Sequence, residues 1–505
     1  MPESPDTCTR DLPEAVLVPS EKLRFINRFA VTRATTCISC GLCESLCPYG
    51  VHKRMDGHVK ILPPDDRRCI GPSCEMNYFF CVANCPTNSL SVKSSETFAS
   101  LGDPRWTSEM ILATWAQSET GKPLPLDHPG NIGASGGGFD KLFFKIPDRK
   151  VKFDPRSICT AVDLNKRKEG GTKIRIPIPI YGGGMSFGSV SVHTMISRAK
   201  AAKKWGTYTC TGEGGYPDAL TPYKENVITQ IATGLFGVRE ETIQRTPIVE
   251  FKYAQGAKPG LGGHLLHDKN TPDVARMREA VPYTSLFSPF PFHSVYSVED
   301  HKKHLDWVGS INPKALLSVK VSTPNDVEMV SVGSYYAGAH IVHLDGGYGG
   351  TGAAPEIAKK NIAMPIEYAI PKVHKFLTNE GIRDEIALFA SGGLRTAMDV
   401  AKAIALGADG AVIGTADLVA LGCVRCGNCE SGRGCPRGIA TTDPELDRLI
   451  ESDWGAERIS NLYGAWRLQW CELLARFGMK DISELRGRVD LLRHADRPAK
   501  GVGTR

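Results

Sequence analysis

The chain has 505 residues, 41% apolar and 23% charged, an ordinary balance for a globular protein and ample length for several domains or one large barrel with appendages. Its 61 basic and 55 acidic residues leave a net charge of +6, compatible with an acidic redox partner but no nucleic-acid signature. No run approaches the roughly eighteen apolar residues of a membrane span, and Met1 to Ala30 hold no signal-peptide core.

Residues 1–34 read as a polar N-terminal extension in which Cys8 stands alone, an unliganded thiol. Residues 35–95 change character. Cys37, Cys40, Cys43 and Cys47-Pro48 follow the C-x2-C-x2-C-x3-C-P spacing of bacterial ferredoxins, and Cys69, Cys74, Cys81 and Cys85-Pro86 end in the same C-x3-C-P. In two-cluster ferredoxins the last cysteine of each run ligates the other cluster. That rule pairs Cys37, Cys40 and Cys43 with Cys85, and Cys69, Cys74 and Cys81 with Cys47, for two 4Fe–4S clusters. Twelve of the 16 cysteines lie in dense groups of this kind, which points to a reducing cytoplasm and metal–thiolate chemistry rather than a disulfide scaffold.

Residues 96–173 read as a connector. The glycine run from Gly130 to Gly138 has no apolar strand leading into it, so it is expected to be a turn-rich linker, and Lys166 to Lys173 a solvated loop. From residue 174 short apolar runs alternate with helix-like stretches: Ile178–Tyr181, Thr207–Cys210, Ile248–Tyr253, Thr284–Phe287, Leu316–Val321, His340–Leu344, Ile386–Ala390 and Gly410–Ile413. Eight such strands predict an α/β fold with a (β/α)8 barrel over 174–422, a doubly wound sheet being the alternative. The last two strands end in Gly392-Gly393 and Gly414-Thr415, where such barrels bind phosphate. A third cysteine group, Cys423, Cys426, Cys429 and Cys435-Pro436, occupies residues 423–440, a few residues beyond that site. Residues 441–505 read as helices that cover the barrel, with Leu446, Leu449 and Ile450 at helical spacing, and a basic tail.

Polar and glycine-rich segments gather after the strands: Met185-Ser-Phe-Gly, Gly212-Glu-Gly-Gly, Ala254-Gln-Gly-Ala-Lys-Pro-Gly, Tyr296-Ser-Val-Glu-Asp, Ser318-Val-Lys, Gly349-Gly-Thr-Gly and Cys435-Pro-Arg-Gly-Ile-Ala-Thr. In this order residues 174–490 resemble the FMN-binding synthase domain of glutamate synthase, and the whole chain resembles the short archaeal-type form with a ferredoxin-like front. The resemblance implies an FMN barrel that reduces 2-iminoglutarate, made from ammonia and 2-oxoglutarate, to glutamate. It implies catalytic roles for Glu213, Lys258 and Lys320, and substrate contacts from Met185, Gln255, His264 and Arg278. FMN contacts are expected from Ser186, Gln255, Lys320, Gly346, Gly349, Gly350, Gly392, Gly393, Gly414 and Thr415. Glu213 matches a glutamate at which ammonia is delivered, and Arg278 an arginine that binds a substrate carboxylate with two parallel bonds.

The chain also departs from the family pattern. Leu261 and His264 stand where the family has Glu and Gln. The usual His-Asp-Gly-Gly is Gly347-Tyr348-Gly349-Gly350. The three-cysteine 3Fe–4S motif is one residue longer here, and Cys426 offers a fourth ligand, so this cluster is expected to be 4Fe–4S or 3Fe–4S. The start, Met1-Pro2, lacks a glutaminase nucleophile and a glycine-repeat domain is missing, so both are expected on separate subunits. Ferredoxin or a reductase subunit is the expected electron donor. Two other readings are a flavin subunit of a methylamine–glutamate N-methyltransferase and an electron-transfer subunit without catalysis of its own. Lys258, Arg278 and Lys320 argue against the latter, because a conduit needs no carboxylate-binding set.

Overall fold

Eight short strands, most of them β-branched and apolar, close into a parallel barrel: β1 (Ile180–Gly182), β2 (Thr209–Cys210), β3 (Val227–Ala232), β4 (Ile248–Lys252), β5 (Leu316–Ser322), β6 (Ile341–Asp345), β7 (Ala387–Ser391) and β8 (Gly410–Ile413). The pairing of Ile413 with Gly182 joins the last strand to the first. The computed structural model describes residues 8, 12–19, 26–77, 80–148, 151–168, 171–259, 263–289, 292–351, 354, 356–430 and 433–496. Two compact units emerge, Ser20–Asp103 and the remainder, Met1–Pro19 with Pro104–Arg505.

Seven of the expected strands fall in the barrel and one does not. Thr284–Phe287 is no barrel strand: Leu286–Phe287 pairs antiparallel with His264–Leu265 outside it. The barrel's third strand is instead Val227–Ala232, whose apolar run is interrupted by Thr229 and Gln230. Both are buried, because this strand contributes polar groups to the barrel interior.

Helices follow the strands as parallel βαβ units require: α1 (Val192–Trp205), α2 (Glu240–Arg245), α3 (Val298–Ile311), α4 (Val327–Ala337), α5 (Ile366–Asn379), α6 (Ala397–Leu406) and α7 (Thr415–Ala420). Ser191 caps α1 by accepting the Thr194 N–H, and Gly206 ends it at φ 66°, a left-handed conformation cheap only for glycine. The long α8 (Ser452–Phe477) packs across α1 and the helix Ser108–Thr120. It buries Trp466 and Trp470, and the Trp470 indole donates to Ala397 O at 2.8 Å. Truncating either ring would cost about 3–5 kcal/mol. Among the described residues no helix is long and apolar enough to cross a membrane.

Two segments expected to be passive carry structure. The glycine run folds as turns around Asp140, which takes the Gly133 N–H at 2.8 Å and the Arg395 guanidinium at 2.6 Å. Lys166, placed by sequence in a solvated loop, is largely buried in a salt bridge with Asp409, which also meets Arg383 at 3.0 Å and Arg486 at 3.2 Å. Cys8 is not a free thiol: it is disulfide-bonded to Cys159, their Cα atoms 4.8 Å apart and so within bridging range.

The Ser20–Asp103 unit is held by an antiparallel ribbon of Phe29–Arg33 and Leu90–Ser94, with Val31 opposite Val92. Both N-terminal cysteine groups lie on the chain between these two strands.

Candidate active site

Strand register brings the chemistry together at the C-terminal ends of the barrel strands. Gln230 lies opposite Glu250, Lys252 opposite Lys320, Lys320 opposite His343, and Asp345 opposite Ser391. All of these but Glu250, with the loops beyond, line a cavity of about 280 Å³, near the lower end of the range for ligand sites. Of the expected residues, Met185, Ser186, Glu213, Gln255, Lys258, Arg278, Lys320, Gly349, Gly350, Gly392, Gly393, Gly414 and Thr415 line it.

Gly346 does not line the cavity. It sits behind the wall, where a Cβ on Gly256 would come within 1.8 Å of its carbonyl oxygen and one on Gly392 within 2.4 Å. Three loops therefore pack backbone to backbone, which no larger residue permits, and Gly392 also has φ 93°. Leu261 lies outside the described residues, and only the backbone of His264 is described, in the short strand opposite Phe287.

At one side of the cavity Glu213 and Lys252 form an ion pair at 3.2 Å, and Ser288 donates to Glu213 at 3.3 Å. Burial pushes the Glu213 carboxyl up, but Lys252, then Arg278 and Lys258, hold it below the ordinary range. Lys258 is pushed down to about 8, first by burial and then by the Lys252 charge. Arg278 ends the helix Pro272–Arg278 and is 5% exposed. One terminal nitrogen donates to Ser186 Oγ and Phe187 O, both at 3.1 Å, while its buried Nε has no hydrogen-bond partner. A guanidinium held by one prong with an unmatched donor is suited to a carboxylate. On the opposite side, Lys320 meets Asp345 at 3.2 Å; burial works against its charge, but Asp345 and Glu250 raise its pKa above the ordinary lysine range.

Residues 144–480 match the family described as the conserved region in glutamate synthase. Over 478 residues the chain is 35% identical to the archaeal-type glutamate synthase (NADPH) of Thermotoga maritima, covering 90% of this chain and 92% of that one. The chain belongs to the glutamate synthase family. It is similarly 35% identical to the archaeal glutamate synthase (NADPH) of Methanocaldococcus jannaschii, covering 90% of this chain and 93% of the relative. It is 36% identical over 324 residues to the glutamate synthase (NADPH) large chain of Azospirillum brasilense, covering 63% of this chain and 21% of that longer one. As a member of the glutamate synthase family the chain is an oxidoreductase built on an α/β barrel.

The cysteine groups of this glutamate synthase family member are ordered by a shared turn. Ser39, Gly71 and Arg425 each have φ near 60° and each donate a backbone N–H at 3.4 Å to the sulfur two residues earlier, in Cys37, Cys69 and Cys423. Ser89 N–H likewise donates to Cys85 at 3.3 Å. Cys47, Cys69, Cys74 and Cys81 line one small cavity with Val51 and Ile70. Cys37 and Cys40 lie near enough to Cys43 for their charges to act on it. In the barrel unit, Cys429 lines the active-site cavity beside Glu430, and buried Lys269 bridges the Cys429 carbonyl and the Glu430 carboxylate.

Sequence reasoning did not single out Lys252, Gln230 or His343, because each looks like an interruption of an apolar strand until the barrel closes. It also passed over Trp106, which lines the cavity, and Arg105, whose guanidinium stacks on Tyr348 next to Gly393. Both come from the stretch read as a connector, and an Arg-Trp pair in a linker carries no local signal.

Proposed function

We propose that the chain is the synthase component of a glutamate synthase, reducing 2-iminoglutarate, formed from ammonia and 2-oxoglutarate, to glutamate. The observation that carries this reading is the buried, half-satisfied Arg278 facing the same cavity as Lys258 and the Glu213–Lys252 pair. Arg278 binds a substrate carboxylate, with Lys258 as a second cation in the cavity. Ionised Glu213, anchored by Lys252, accepts N–H bonds from ammonia and from the imine, orienting the C=N bond. Reduction adds two electrons and two protons across that bond.

The residues fit FMN. Bare backbone at Gly349, Gly350, Gly392, Gly393 and Gly414 leaves room for a phosphate and a flat ring, Gln255 offers an amide, and Lys320 places a buried ammonium on the wall. Bound FMN supplies the hydride. The cysteine groups fit iron–sulfur clusters better than zinc. The first group keeps the C-x2-C-x2-C-x3-C-P run of cluster-binding ferredoxins, and Cys47, Cys69, Cys74 and Cys81 line one small cavity. N–H donors aimed at the sulfurs are a known means of tuning such clusters. We assign two 4Fe–4S clusters to the Ser20–Asp103 unit and one 4Fe–4S or 3Fe–4S cluster to Cys423–Cys435, beside the flavin cavity.

Electrons enter through a partner, ferredoxin or a reductase subunit, and the named relatives are NADPH enzymes. Glutaminase and glycine-repeat functions belong in this reading to separate subunits, and twelve cysteines in cluster-type groups support a reducing cytoplasm, against which the Cys8–Cys159 bridge stands. The test is anaerobic reconstitution with reduced ferredoxin, 2-oxoglutarate and ammonia, or methylamine in its place. Glutamate from ammonia alone is expected. N-methylglutamate from methylamine, or no amino acid at all, would overturn the assignment.

A further inference from the structure

Within the barrel, side chains from five adjacent strands form one continuous hydrogen-bonded row. Glu250 accepts from Gln230 Nε2 at 2.7 Å and Ser318 Oγ at 3.1 Å, and meets His343 Nδ1 at 3.0 Å. His343 Nε2 lies 2.7 Å from Ser391 Oγ, which is 2.6 Å from Asp345 Oδ1. Asp345 Oδ2 takes the Gly256 N–H at 3.0 Å and Lys320 Nζ at 3.2 Å. Glu250 and His343 are 1% exposed, and Asp345, Ser391 and Lys320 each 8%.

A count of hydrogens fixes the protonation. A carboxylate only accepts, and a hydroxyl has a single hydrogen to give. Asp345 receives an amide N–H and an ammonium; burial would raise its pKa, but Lys320 and His343 hold it at about 2, so it is ionised. The hydrogen of Ser391 therefore goes to Asp345. That leaves only lone pairs for His343 Nε2, which must itself carry a hydrogen. Glu250 already accepts at both oxygens, from Gln230 Nε2 and Ser318 Oγ, as an ionised carboxylate does, so its contact with His343 requires a second hydrogen on Nδ1. With both nitrogens protonated the ring is an imidazolium, and charge alternates along the row: Glu250 negative, His343 positive, Asp345 negative, Lys320 positive.

We propose that His343 is a doubly protonated positioning residue: its imidazolium aligns Ser391 and Asp345 against Lys320 and offsets the two buried carboxylates. The row beside the bound flavin then carries no net charge. This rests on the flavin reading above. Reduction adds negative charge to a flavin, so a row that loses one positive charge must disfavour it, and in a dry interior that interaction is poorly screened.

The test is the midpoint potential of FMN in the purified holoenzyme, with flavin content measured alongside. In His343→Gln, with two carboxylates facing one ammonium, the reduced-to-oxidised ratio at fixed potential should fall at least about tenfold, a shift of about 30 mV for a two-electron couple. Removing the matching negative charge in the double variant Glu250→Gln/His343→Gln should return the ratio to within about threefold of wild type. If His343 were only a packing element, the double variant would be at least as disturbed as the single one. An unshifted potential in His343→Gln, or a double variant that fails to recover, overturns the proposal. Neutron diffraction from wild-type crystals in D2O reads the same claim without substitution: two deuterons on the ring are expected, and one refutes it. A wild-type chain that binds no FMN would sink the flavin reading, while the neutron result would still decide the protonation of His343.

Discussion

Arg278→Ala tests the substrate assignment most directly. The side chain is 5% exposed and uses one terminal nitrogen on Ser186 Oγ and Phe187 O, which leaves the other terminal nitrogen for a ligand. Two charge-assisted bonds to a carboxylate are worth about 1.5–3 kcal/mol each. Part of that is lost to ordering and desolvation in any complex, so we take one bond's worth, about 1.5 kcal/mol, as the floor. At about 1.4 kcal/mol per decade, the KM for 2-oxoglutarate should rise at least about tenfold. FMN content should be unchanged, because the glycines at 392, 393 and 414 lie at other strand ends. Arg278→Lys should recover part of the affinity, since an ammonium keeps the charge but not the fork. Steady-state kinetics with reduced donor and varied 2-oxoglutarate, next to the flavin absorbance per chain, provide the reading. Normal keto-acid affinity in Arg278→Ala would refute the reasoning and turn attention to the altered loop at Leu261 and His264.

Anaerobically purified protein should contain about twelve irons if all three clusters are of the four-iron type, and Cys426→Ser should change the spectrum of the barrel-side cluster; an unchanged spectrum would mark a three-iron centre. Lys258, depressed to about 8, is charged below that pH and neutral above it. Apparent affinity for 2-oxoglutarate should therefore weaken as pH rises through about 8, and Lys258→Arg, charged throughout, should remove the inflection. Asp409→Asn leaves Lys166, Arg383 and Arg486 without their shared carboxylate. Breaking such a buried pair costs about 3–5 kcal/mol, so thermal melting should drop by several degrees while the flavin spectrum stays the same.

The barrel was legible wherever a strand is apolar throughout, as in Gly410–Ile413, because burial on both faces writes a continuous hydrophobic run. It was illegible at Val227–Ala232. There Gln230 serves Glu250, a partner 20 residues away that only closure of the barrel brings near. The site shows the same division. Glycine-rich loops and cysteine spacings are local patterns, so Gly392, Gly393, Gly414 and the three cysteine groups could be picked out. Lys252 and His343 were not, because a charged residue inside an apolar strand gains meaning only from the neighbouring strand. The Cys8–Cys159 bridge spans 151 residues, and nothing within either segment announces the other.

The path of the chain near its start bears on how the protein is made. Asn461 holds Val16 through its carbonyl and amide, Arg458 donates to Val18 O at 3.1 Å, and Val18 N–H binds Glu119 O at 2.8 Å. Residues 12–19 thus dock on a helix that leaves the ribosome more than 400 residues later. At typical synthesis rates of about 5–20 residues per second that delay is tens of seconds. During that time the eight N-terminal cysteines are already out, in the compact unit Ser20–Asp103. The front unit can therefore fold on the nascent chain, whereas the covering layer of the barrel closes only once residues 452–477 have been made.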